Sequence, residues 1–511
     1  MARIGVFVCH CGVNIGGVVN IPEVVKYAQT LPNVAYAEAN IYTCSEAGLA
    51  SIRENIKKQG LNRVVVASCT PRTHEPLFRE TVREAGLNIY LFEMANIRDQ
   101  CSWVHMHQPE EATKKSKDLV RSAVAKARML KPLPKPLINV VQSALVIGGG
   151  LSGLTAAREL AKQGFEVHLI EREKQLGGYA AKIRYLLDKQ DPQKQLTAII
   201  DEVEADPKIH VYLKTEVADI KGYIGNFKTT LKTKGRKKEK EIEHGAVIIA
   251  TGALEYRPSE YFYANDPRVM TQHELEEKLA KGDFNAKMVV MVQCVGSRNE
   301  QNPNCSRICC TQAVKNSLKI KELNPEADIY VLYKDMRTFG FKEDYYREAS
   351  EKGVIFIRYD DEHKPEVQKG EEKLTVTAWE PVLKTWIPIE TDLLVLSVAT
   401  VANPDNERLA GMLKVPLTKD KFFLEAHMKL RPVDFATDGV FLCGMAHSPK
   451  FIDESISQAC AAASRAATVL SKPSLEMEGS IASVDQDLCS GCKICESVCA
   501  YNAIEMEKKS D

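Results

Sequence analysis

The sequence lacks net charge, because its 68 Lys and Arg residues are balanced by 68 Asp and Glu residues. This balance gives no support to nucleic acid as a main partner. It also lacks the run of about 18 apolar residues that a membrane span needs, since Ser464 and Arg465 interrupt the Ala-rich stretch 459–470. The apolar run 1–11 is short and has no small-residue cleavage site. We therefore expect a cytoplasmic protein without a membrane span or an export signal.

The chain is rich in cysteine, with 15 among 511 residues. Thiols stay reduced in the cytoplasm, so grouped cysteines indicate metal or redox chemistry rather than structural disulfides. The length exceeds what one hydrophobic core supports, and about 150 residues per domain predicts three or four domains.

A glycine motif after a strand predicts a nucleotide site. The pattern G-x-G-x-x-G places Gly148, Gly150 and Gly153 between strand and helix. These glycines permit a tight turn, a close approach of the backbone to a pyrophosphate, and close packing of helix on strand. Glu171 ends the following strand, where it can accept a hydrogen bond from an adenosine ribose hydroxyl.

Three further segments favour FAD over NAD: 176–178, 247–252 and 437–444. They resemble motifs of two-dinucleotide-domain flavoproteins related to thioredoxin reductase. The resemblance implies a helix from about Ile456 to Leu470 whose N-terminus faces the flavin, and Met445 stands where that family has Asp. The candidate cofactor-binding residues are Gly148, Gly150, Gly153, Glu171, Arg172, Gly178, Thr251, Gly252, Gly444 and Ser455.

A second strand, Met288–Gln293, opens a similar domain without a phosphate loop. The turn 294–298 lacks the second small residue that would let a pyrophosphate approach the backbone, so we predict no NAD(P)H site. Four nearby cysteines suit a 4Fe-4S cluster instead. They are Cys294, Cys305, Cys309 and Cys310. Ordinary buried cysteines or a zinc site would also account for this grouping.

The C-terminal run 489–499 has the bacterial ferredoxin spacing C-x-x-C-x-x-C-x-x-x-C. Its cysteines are Cys489, Cys492, Cys495 and Cys499. Ala500 replaces the usual proline, and only one run is present. Cys499 therefore closes its own cluster, or the second half lies beyond this chain or in a partner.

The N-terminal region carries cysteines that follow successive strands of an α/β domain. They are Cys9, Cys11, Cys44, Cys69 and Cys101. The ends of parallel strands meet at one sheet edge, which favours a further cluster over ordinary buried cysteines. The sequence does not decide which four of the five bind. His105 and His107 are more often ordinary histidines than ligands.

Together these motifs predict an α/β fold of the two-dinucleotide-binding-domain, thioredoxin reductase-like type. The Pro-rich segment 131–136 and the segment 471–474 serve as linkers. The predicted domains are an N-terminal α/β iron-sulfur domain (1–136), an FAD-binding domain in two parts (140–285 and 396–472), a degenerate NAD-like domain carrying a cluster (286–395), and a ferredoxin-like 4Fe-4S segment (473–511).

From end to end the chain resembles the A subunit of heterodisulfide reductase. The resemblance is carried by the segments 8–17, 67–76, 96–105, 293–298, 306–310 and 430–434. It implies an FAD and 4Fe-4S subunit that works with B- and C-like subunits, with an electron-input module of hydrogenase, formate or NADH dehydrogenase type, and with ferredoxin as a further partner, as a homodimer within a larger complex. It also implies flavin-based electron bifurcation, with Lys315 near the redox-active edge of the flavin.

The chain differs from the larger members of that family. No cysteine occurs between Gly178 and Ile220, so the inserted two-cluster ferredoxin domain of methanogen members is absent, and the tail offers one cluster motif instead of two. These differences leave open a confurcating or simple relay role. An autonomous flavin disulfide reductase using Cys309 and Cys310, and a non-catalytic scaffold, are two competing hypotheses for the function.

Overall fold

The structure, a computed structural model, describes residues 2–236, 238–499 and 503–507. The chain divides into two compact units. One comprises Met1–Pro136 and Glu476–Lys493, and the other comprises Leu137–Leu475 and Ile494–Asp511. Each unit has buried apolar cores of its own.

The first unit is built on a parallel four-stranded sheet. Its strands are β1 (Ile4–Cys9), β2 (Val34–Asn40), β3 (Arg63–Ser68) and β4 (Phe92–Asn96). Its helices are α1 (Ile21–Gln29), α2 (Glu46–Lys58), α3 (Pro71–Glu84) and α4 (Pro109–Met129). The strand order is β2-β1-β3-β4. Helices α1 and α4 cover one face and α2 and α3 the other, so the central strands are almost entirely apolar.

The second unit begins with the first part of a dinucleotide-binding domain. Its strands are β5 (Leu137–Asn139), β6 (Ser143–Ile147), β7 (Glu166–Ile170), β8 (Ile209–Tyr212), β9 (Thr215–Tyr223), β10 (Asn226–Thr233), β11 (Lys240–His244), β12 (Ala246–Ile249) and β13 (Ala253–Glu255). Its helices are α5 (Leu151–Lys162) and α6 (Pro192–Ala205). Strands β9 to β11 form an antiparallel three-stranded sheet of their own.

A second domain of similar topology follows. Its strands are β14 (Val269–Thr271), β15 (Met288–Val295), β16 (Asp328–Tyr333), β17 (Val354–Arg358), β18 (Glu366–Lys369), β19 (Leu374–Glu380), β20 (Thr385–Thr391), β21 (Leu393–Val398) and β22 (Thr400–Ala402). Its helices are α7 (Gln272–Lys281), α8 (Cys309–Leu323) and α9 (Lys342–Glu351). Its parallel sheet has the order β14-β21-β15-β16-β17.

The chain then returns to the first of these domains. The remaining elements are α10 (Asn406–Leu413), β23 (Val440–Leu442), α11 (Ile452–Leu470), β24 (Ser474–Glu476) and α12 (Ile494–Val498). Strand β23 completes a parallel sheet in the order β23-β12-β6-β7-β8. Strands β13 and β22 pair antiparallel where the chain leaves and re-enters the domain. One dinucleotide-binding fold is thus interrupted by another, which is the thioredoxin reductase-like α/β class.

Two helices begin elsewhere than the sequence predicted. Helix α11 starts at Ile452 rather than at about Ile456, because the Glu454 carboxylate accepts a hydrogen bond from the Phe451 backbone N–H at 2.8 Å and so caps an earlier turn. For the helix that carries Cys309 and Cys310, the sequence predicts a start near Arg307. Helix α8 instead starts at Cys309, because the φ of Arg307, 60°, lies outside the helical region.

Two segments between elements were also predicted from composition. Residues 131–136, all of them described, lie outside helices and strands, since each proline favours extended backbone in its predecessor. The basic run 232–240, whose composition predicts a solvated hairpin tip rather than a binding patch, begins in the last two residues of β10 and ends at the first residue of β11, with Lys237 outside the described residues. Among the described residues, none of the helices combines the length and the apolar character needed to cross a bilayer.

Candidate flavin and iron-sulfur sites

The turn between β6 and α5 has the backbone that a bound pyrophosphate requires. Gly148 has a φ of 115°, and a Cβ there would lie 2.3 Å from the Ala250 carbonyl oxygen. A Cβ on Gly153 would lie 1.8 Å from the Gly148 oxygen, so the helix packs directly on the turn. Gly150 caps α5, and an ideal Cβ there would make only ordinary van der Waals contact, 3.8 Å, with the Gly178 Cα. The N–H groups at the start of this helix have no partner within the helix, so this cleft between the turn and the segment around Gly178 is where a pyrophosphate would bind.

Glu171 lies where a ribose-binding carboxylate belongs. It follows β7, is 8% exposed, and accepts hydrogen bonds from the backbone N–H groups of Gly149 at 2.7 Å and Glu173 at 2.8 Å. These two bonds hold the carboxylate beside the glycine turn. A carboxylate accepts up to about four hydrogen bonds, so acceptor capacity is left for ribose hydroxyls.

The structure brings several other candidates to the same cleft. Gly178, with a φ of 54°, would place a Cβ 2.9 Å from the Gly150 Cα. Gly444, with a φ of 69°, would place one 2.1 Å from the Ser152 hydroxyl. Thr251 follows Ala250, which packs on Gly148. The first and last motifs of the interrupted domain therefore meet at the glycine turn.

The remaining three candidates are placed differently. Arg172 points to Asp405, with 3.0 Å between the guanidinium and a carboxylate oxygen. An ideal Cβ on Gly252 meets no atom within 4 Å, so this residue borders open space. Ser455 is buried in the first turn of α11. FAD fits this cleft because the glycines leave room along the phosphate turn and Glu171 supplies the ribose acceptor.

The corresponding turn of the second domain is closed by an aromatic ring. Gly296 has a φ of 72°, and a Cβ there would lie 2.4 Å from the Tyr256 ring. Cys294 and Arg298 also have positive φ values, 62° and 56°. The Tyr256 ring thus packs where a pyrophosphate would approach the backbone, and no sequence motif indicated this residue.

The four cysteines of this domain lie near one another. Cys294, Cys309 and Cys310 are buried and Cys305 is half-buried. Burial and the neighbouring Cys310 and Cys305 sulfurs raise the pKa of Cys294 to about 11. The Cys305 sulfur accepts a hydrogen bond from the Arg307 backbone N–H at 3.3 Å.

Cys309 and Cys310 have opposite tendencies. A hydrogen bond from Cys309 lowers the pKa of Cys310 to about 7. The same hydrogen bond, together with burial, raises the pKa of Cys309 well above its ordinary value. Arg298 and Arg337 also favour the Cys310 thiolate. The side chains fit a 4Fe-4S cluster in kind and number. Across the described part of the chain, however, no three Cys, His, Asp or Glu side chains already stand in metal-binding geometry.

Four of the five N-terminal cysteines lie near one another, and Cys101 lies apart from them. Burial and the Cys9 and Cys44 sulfurs raise the pKa of Cys11, while Arg98 lowers it. Burial likewise raises the pKa of Cys69, which Arg98 lowers and Cys44 raises. These four sulfurs therefore share the carboxyl edge of the sheet with the Arg98 guanidinium.

Cys101 is turned away into α4. Its sulfur is fully buried, donates to the Ala112 carbonyl oxygen at 2.9 Å, and lies 3.1 Å from the Ser116 hydroxyl. His105 bonds to Gln108 at 3.0 Å through its ring. In the C-terminal run, Cys489, Cys492 and Cys495 are exposed, and the half-buried Cys499 accepts a hydrogen bond from the Ala503 N–H at 3.3 Å.

Lys315 is buried between the two dinucleotide-type domains. Its amine forms an ion pair with Glu276 at 2.8 Å and donates to the Tyr185 carbonyl oxygen at 2.9 Å. The Lys315 side chain is 10% exposed and the Glu276 side chain is fully buried. Burial lowers the pKa of Lys315 and the Glu276 carboxylate raises it. The lysine is thus a desolvated cation and not a solvated residue of a helix surface.

One contact that the sequence did not reveal joins the cysteine loop to α11. The Arg307 guanidinium binds both carboxylate oxygens of Glu454, at 2.7 and 3.2 Å, and donates to the Pro449 carbonyl oxygen at 3.2 Å. The Ser306 hydroxyl accepts from the Thr400 N–H at 2.9 Å. The loop between Cys305 and Cys309 is therefore fixed to the start of α11.

Comparison with known proteins identifies two regions of the chain. The family "Pyridine nucleotide-disulphide oxidoreductase" matches residues 142–291, and the "4Fe-4S binding domain" matches residues 482–505. A thioredoxin reductase structure from Lactococcus lactis is similar in fold, with a TM-score of 0.47 and 16% identity over 64% of this chain and 99% of that one. The chain is an oxidoreductase with FAD and a 4Fe-4S cluster.

The relatives that match almost the whole chain include two archaeal A subunits. An iron-sulfur A subunit of CoB–CoM heterodisulfide reductase from Methanopyrus kandleri is 39% identical over 608 positions, covering 99% of this chain and 92% of the relative. The A subunit of the H2:CoB–CoM heterodisulfide,ferredoxin reductase from Methanothermobacter thermautotrophicus is 37% identical, covering 99% and 91%. Since the first alignment is longer than this chain, that relative carries residues which the chain lacks. The chain belongs to the family of heterodisulfide reductase A subunits, as a flavin and iron-sulfur electron-transfer protein.

Proposed function

We propose that the chain is the flavin-based bifurcation or confurcation centre of a heterodisulfide reductase-type complex. The single observation that carries this proposal is the contact of the Cys305–Cys309 loop with α11 through Arg307 and Glu454. That contact fixes a four-cysteine set beside the helix that borders the flavin cleft. A flavin exchanges two electrons and a 4Fe-4S cluster exchanges one, so the pair can divide an electron pair between two acceptors.

The chain's own residues hold the cofactors in this proposal. The glycine turn and the N–H groups of α5 bind the pyrophosphate of FAD, and Glu171 binds the adenosine ribose. Cys294, Cys305, Cys309 and Cys310 hold one cluster. Of the N-terminal cysteines, Cys9, Cys11, Cys44 and Cys69 hold another, because Cys101 is bonded into α4. The C-terminal ferredoxin run holds a third.

The partners in this proposal are B- and C-like subunits and an electron-input module of hydrogenase, formate or NADH dehydrogenase type, around a homodimer of this chain. The name of the Methanothermobacter relative includes both a heterodisulfide and ferredoxin. A heterodisulfide and ferredoxin can each accept electrons, which agrees with an electron pair divided between two acceptors. Ferredoxin is therefore a partner in this proposal.

The test is the cofactor content of the anaerobically purified chain. We expect FAD and roughly 8 to 12 iron atoms per chain, as two or three 4Fe-4S clusters contain. Cys309→Ser should lower the iron by about one cluster and leave FAD bound. Iron assay and flavin absorbance measure both, and unchanged iron in Cys309→Ser would contradict the assignment.

Matched variants control for general damage. Cys443 is fully buried beside the flavin cleft and belongs to none of the proposed ligand sets. The variant Cys443→Ser should therefore contain as much iron as the wild type. In the N-terminal unit, Cys69→Ser should lose a cluster's iron while Cys101→Ser should retain it. The reverse pattern would replace Cys69 by Cys101 in the ligand set.

An autonomous disulfide reductase is the second candidate, and one observation favours it. A low pKa of Cys310 beside a proton-bearing Cys309 is the pattern of a reactive dithiol. Adjacent cysteines form a strained disulfide, which argues against it. A yellow, iron-free protein that reduces a disulfide would select this candidate.

The isolated chain should not oxidise NADH or NADPH at a meaningful rate. The reason is the Tyr256 ring on Gly296, which occupies the turn where a pyrophosphate would bind. Anaerobic mixing with stoichiometric NADH, followed at the flavin absorbance band, measures this. Rapid bleaching in protein free of contaminating reductase would show that the turn does bind the nucleotide.

A further inference from the structure

A buried lysine lies immediately before α11 and belongs to none of the motifs discussed so far. Lys450 is 9% exposed. Its amine lies 3.1 Å from the Ser448 hydroxyl and 3.3 Å from Nδ1 of His447. An amine so far removed from water keeps its positive charge only where negative charge or hydrogen-bond acceptors compensate the lost hydration.

The hydrogen bonds around His447 define its protonation. The Gln458 amide donates to Nδ1 at 2.9 Å, and its oxygen accepts from the Gly444 backbone N–H at 3.0 Å, which fixes the orientation of the amide. Nδ1 therefore acts as an acceptor. Nε2 lies 2.8 Å from a Glu425 carboxylate oxygen and carries the hydrogen. His447 is thus a neutral ring whose Nδ1 faces the Lys450 amine as an acceptor. The Glu425 carboxylate accepts the Nε2–H of His447 and forms no ion pair with Lys450.

The other charges near Lys450 are also engaged. The nearest carboxylate on α11, that of Glu454, binds Arg307 and caps Phe451. Within the described ranges, none of the carboxylates comes within 4.0 Å of the Lys450 amine. The cation is therefore buried without an ion-pair partner from the chain itself, which is costly unless a bound anion completes the site.

The contacts around Lys450 favour one part of the flavin cofactor as that anion. Gly444, which is bonded to Gln458 of this network, packs on Ser152 in the glycine turn, and α11 packs along α5. The pyrophosphate already has the N–H groups at the start of α5. Lys450 lies instead at the start of α11, the helix whose N-terminus faces the flavin ring in this fold class.

We propose that Lys450 is the cation that stabilises negative charge on the pyrimidine side of the bound flavin ring, held in place by His447, Ser448 and Gln458. The proposal rests on the flavin role given above. It is independent of Lys315, which belongs to another helix and forms its ion pair with Glu276. It assigns Lys450 to the electrostatics of the ring and not to the binding of phosphate.

The pH dependence follows from the charges around the amine. Burial lowers the pKa of Lys450 to about 8; Arg307 adds to this, while Glu454, Cys443 and Glu425 oppose it. The positive charge is therefore complete well below pH 8 and is lost as the pH rises through about 8. The effect of Lys450 on the flavin should therefore decrease over the same pH range.

Sulfite provides a direct probe, because it adds to an oxidised flavin and leaves negative charge on the ring. We expect Lys450→Met to bind FAD but to bind sulfite about tenfold more weakly than the wild type, a change of one decade in the dissociation constant. The flavin potential of this variant should fall, and Lys450→Arg should restore both properties. The difference from the wild type should shrink above about pH 8. Lys450→Gln is the second variant if Lys450→Met does not fold.

Lys342→Met is the matched control. The Lys342 amine lies 4.2 Å from the Phe451 ring centre, beside the same helix start, but its side chain belongs to the second domain and is partly exposed. Its sulfite affinity should match that of the wild type. Equal sulfite affinity and potential in Lys450→Met and wild type would overturn the proposal. Weaker FAD binding with an unchanged potential would also overturn it, in favour of a phosphate contact. Absence of FAD from the wild type would instead count against the function proposed above.

Discussion

Replacing Gly153 by alanine is expected to abolish FAD binding. The new Cβ would lie 1.8 Å from the Gly148 carbonyl oxygen, far inside van der Waals contact. Gly148 has no room to retreat, because the Ala250 carbonyl oxygen, just after β12, is so close that an ideal Cβ on Gly148 would lie 2.3 Å from it. Helix α5 must therefore move away from the turn, and its N–H groups no longer converge on the pyrophosphate. Flavin absorbance of the purified variant measures the loss.

Gly411→Ala is the matched control for this substitution. Gly411 lies within α10, has no atom within 4 Å of an ideal Cβ, and adopts ordinary helical backbone. Alanine at a helical position is favoured over glycine by roughly 0.5–1 kcal/mol, so this variant should bind FAD and be slightly more stable. Stoichiometric FAD in Gly153→Ala would mean that the turn has more freedom than its contacts indicate.

Lys315→Met is expected to change both the stability of the chain and the potential of its flavin. It leaves the fully buried Glu276 without its cation, and removal of one partner of a buried ion pair costs about 3–5 kcal/mol. We propose that Lys315 lies near the redox-active flavin edge, as the family resemblance implies, where a cation favours the reduced, anionic form. The flavin potential should therefore fall. Denaturant unfolding and an equilibrium redox titration measure the two effects.

The double variant Lys315→Met with Glu276→Gln separates the two effects. Neutralising Glu276 removes the unpaired charge, so most of the lost stability should return. The potential should recover only in part, since the unpaired Glu276 charge is gone but the cation is still missing. A potential that returns fully with the stability would assign Lys315 a structural role only, in holding Tyr185 and the segment around it.

The sequence predicted most of the flavin site because that site is built from local patterns. A tight turn, a close helix and a strand-end carboxylate each need a particular residue at a particular spacing, and Gly148, Gly153 and Glu171 satisfy these needs within one βαβ unit. The interruption of one domain by the other could also be read from the order of the motifs.

What the sequence did not reveal depends on contacts between distant segments. Tyr256, which directly follows β13, packs on Gly296. The Arg307 guanidinium donates a hydrogen bond to the Glu454 carboxylate on α11. No spacing rule joins such pairs, because they meet only after both domains have folded. Cys101 shows the same limit, since only the position of α4 shows that its sulfur bonds to Ala112.

The aromatic ring against Gly296 has an evolutionary consequence. A turn that had merely lost its glycines could regain nucleotide binding by back substitution at one or two positions. Here the vacated space is filled by a side chain from another segment, so restoring the turn would first require the removal of Tyr256 and the repacking of its neighbours. We therefore expect that back substitutions in the turn alone would not give it nucleotide binding while Tyr256 remains in place.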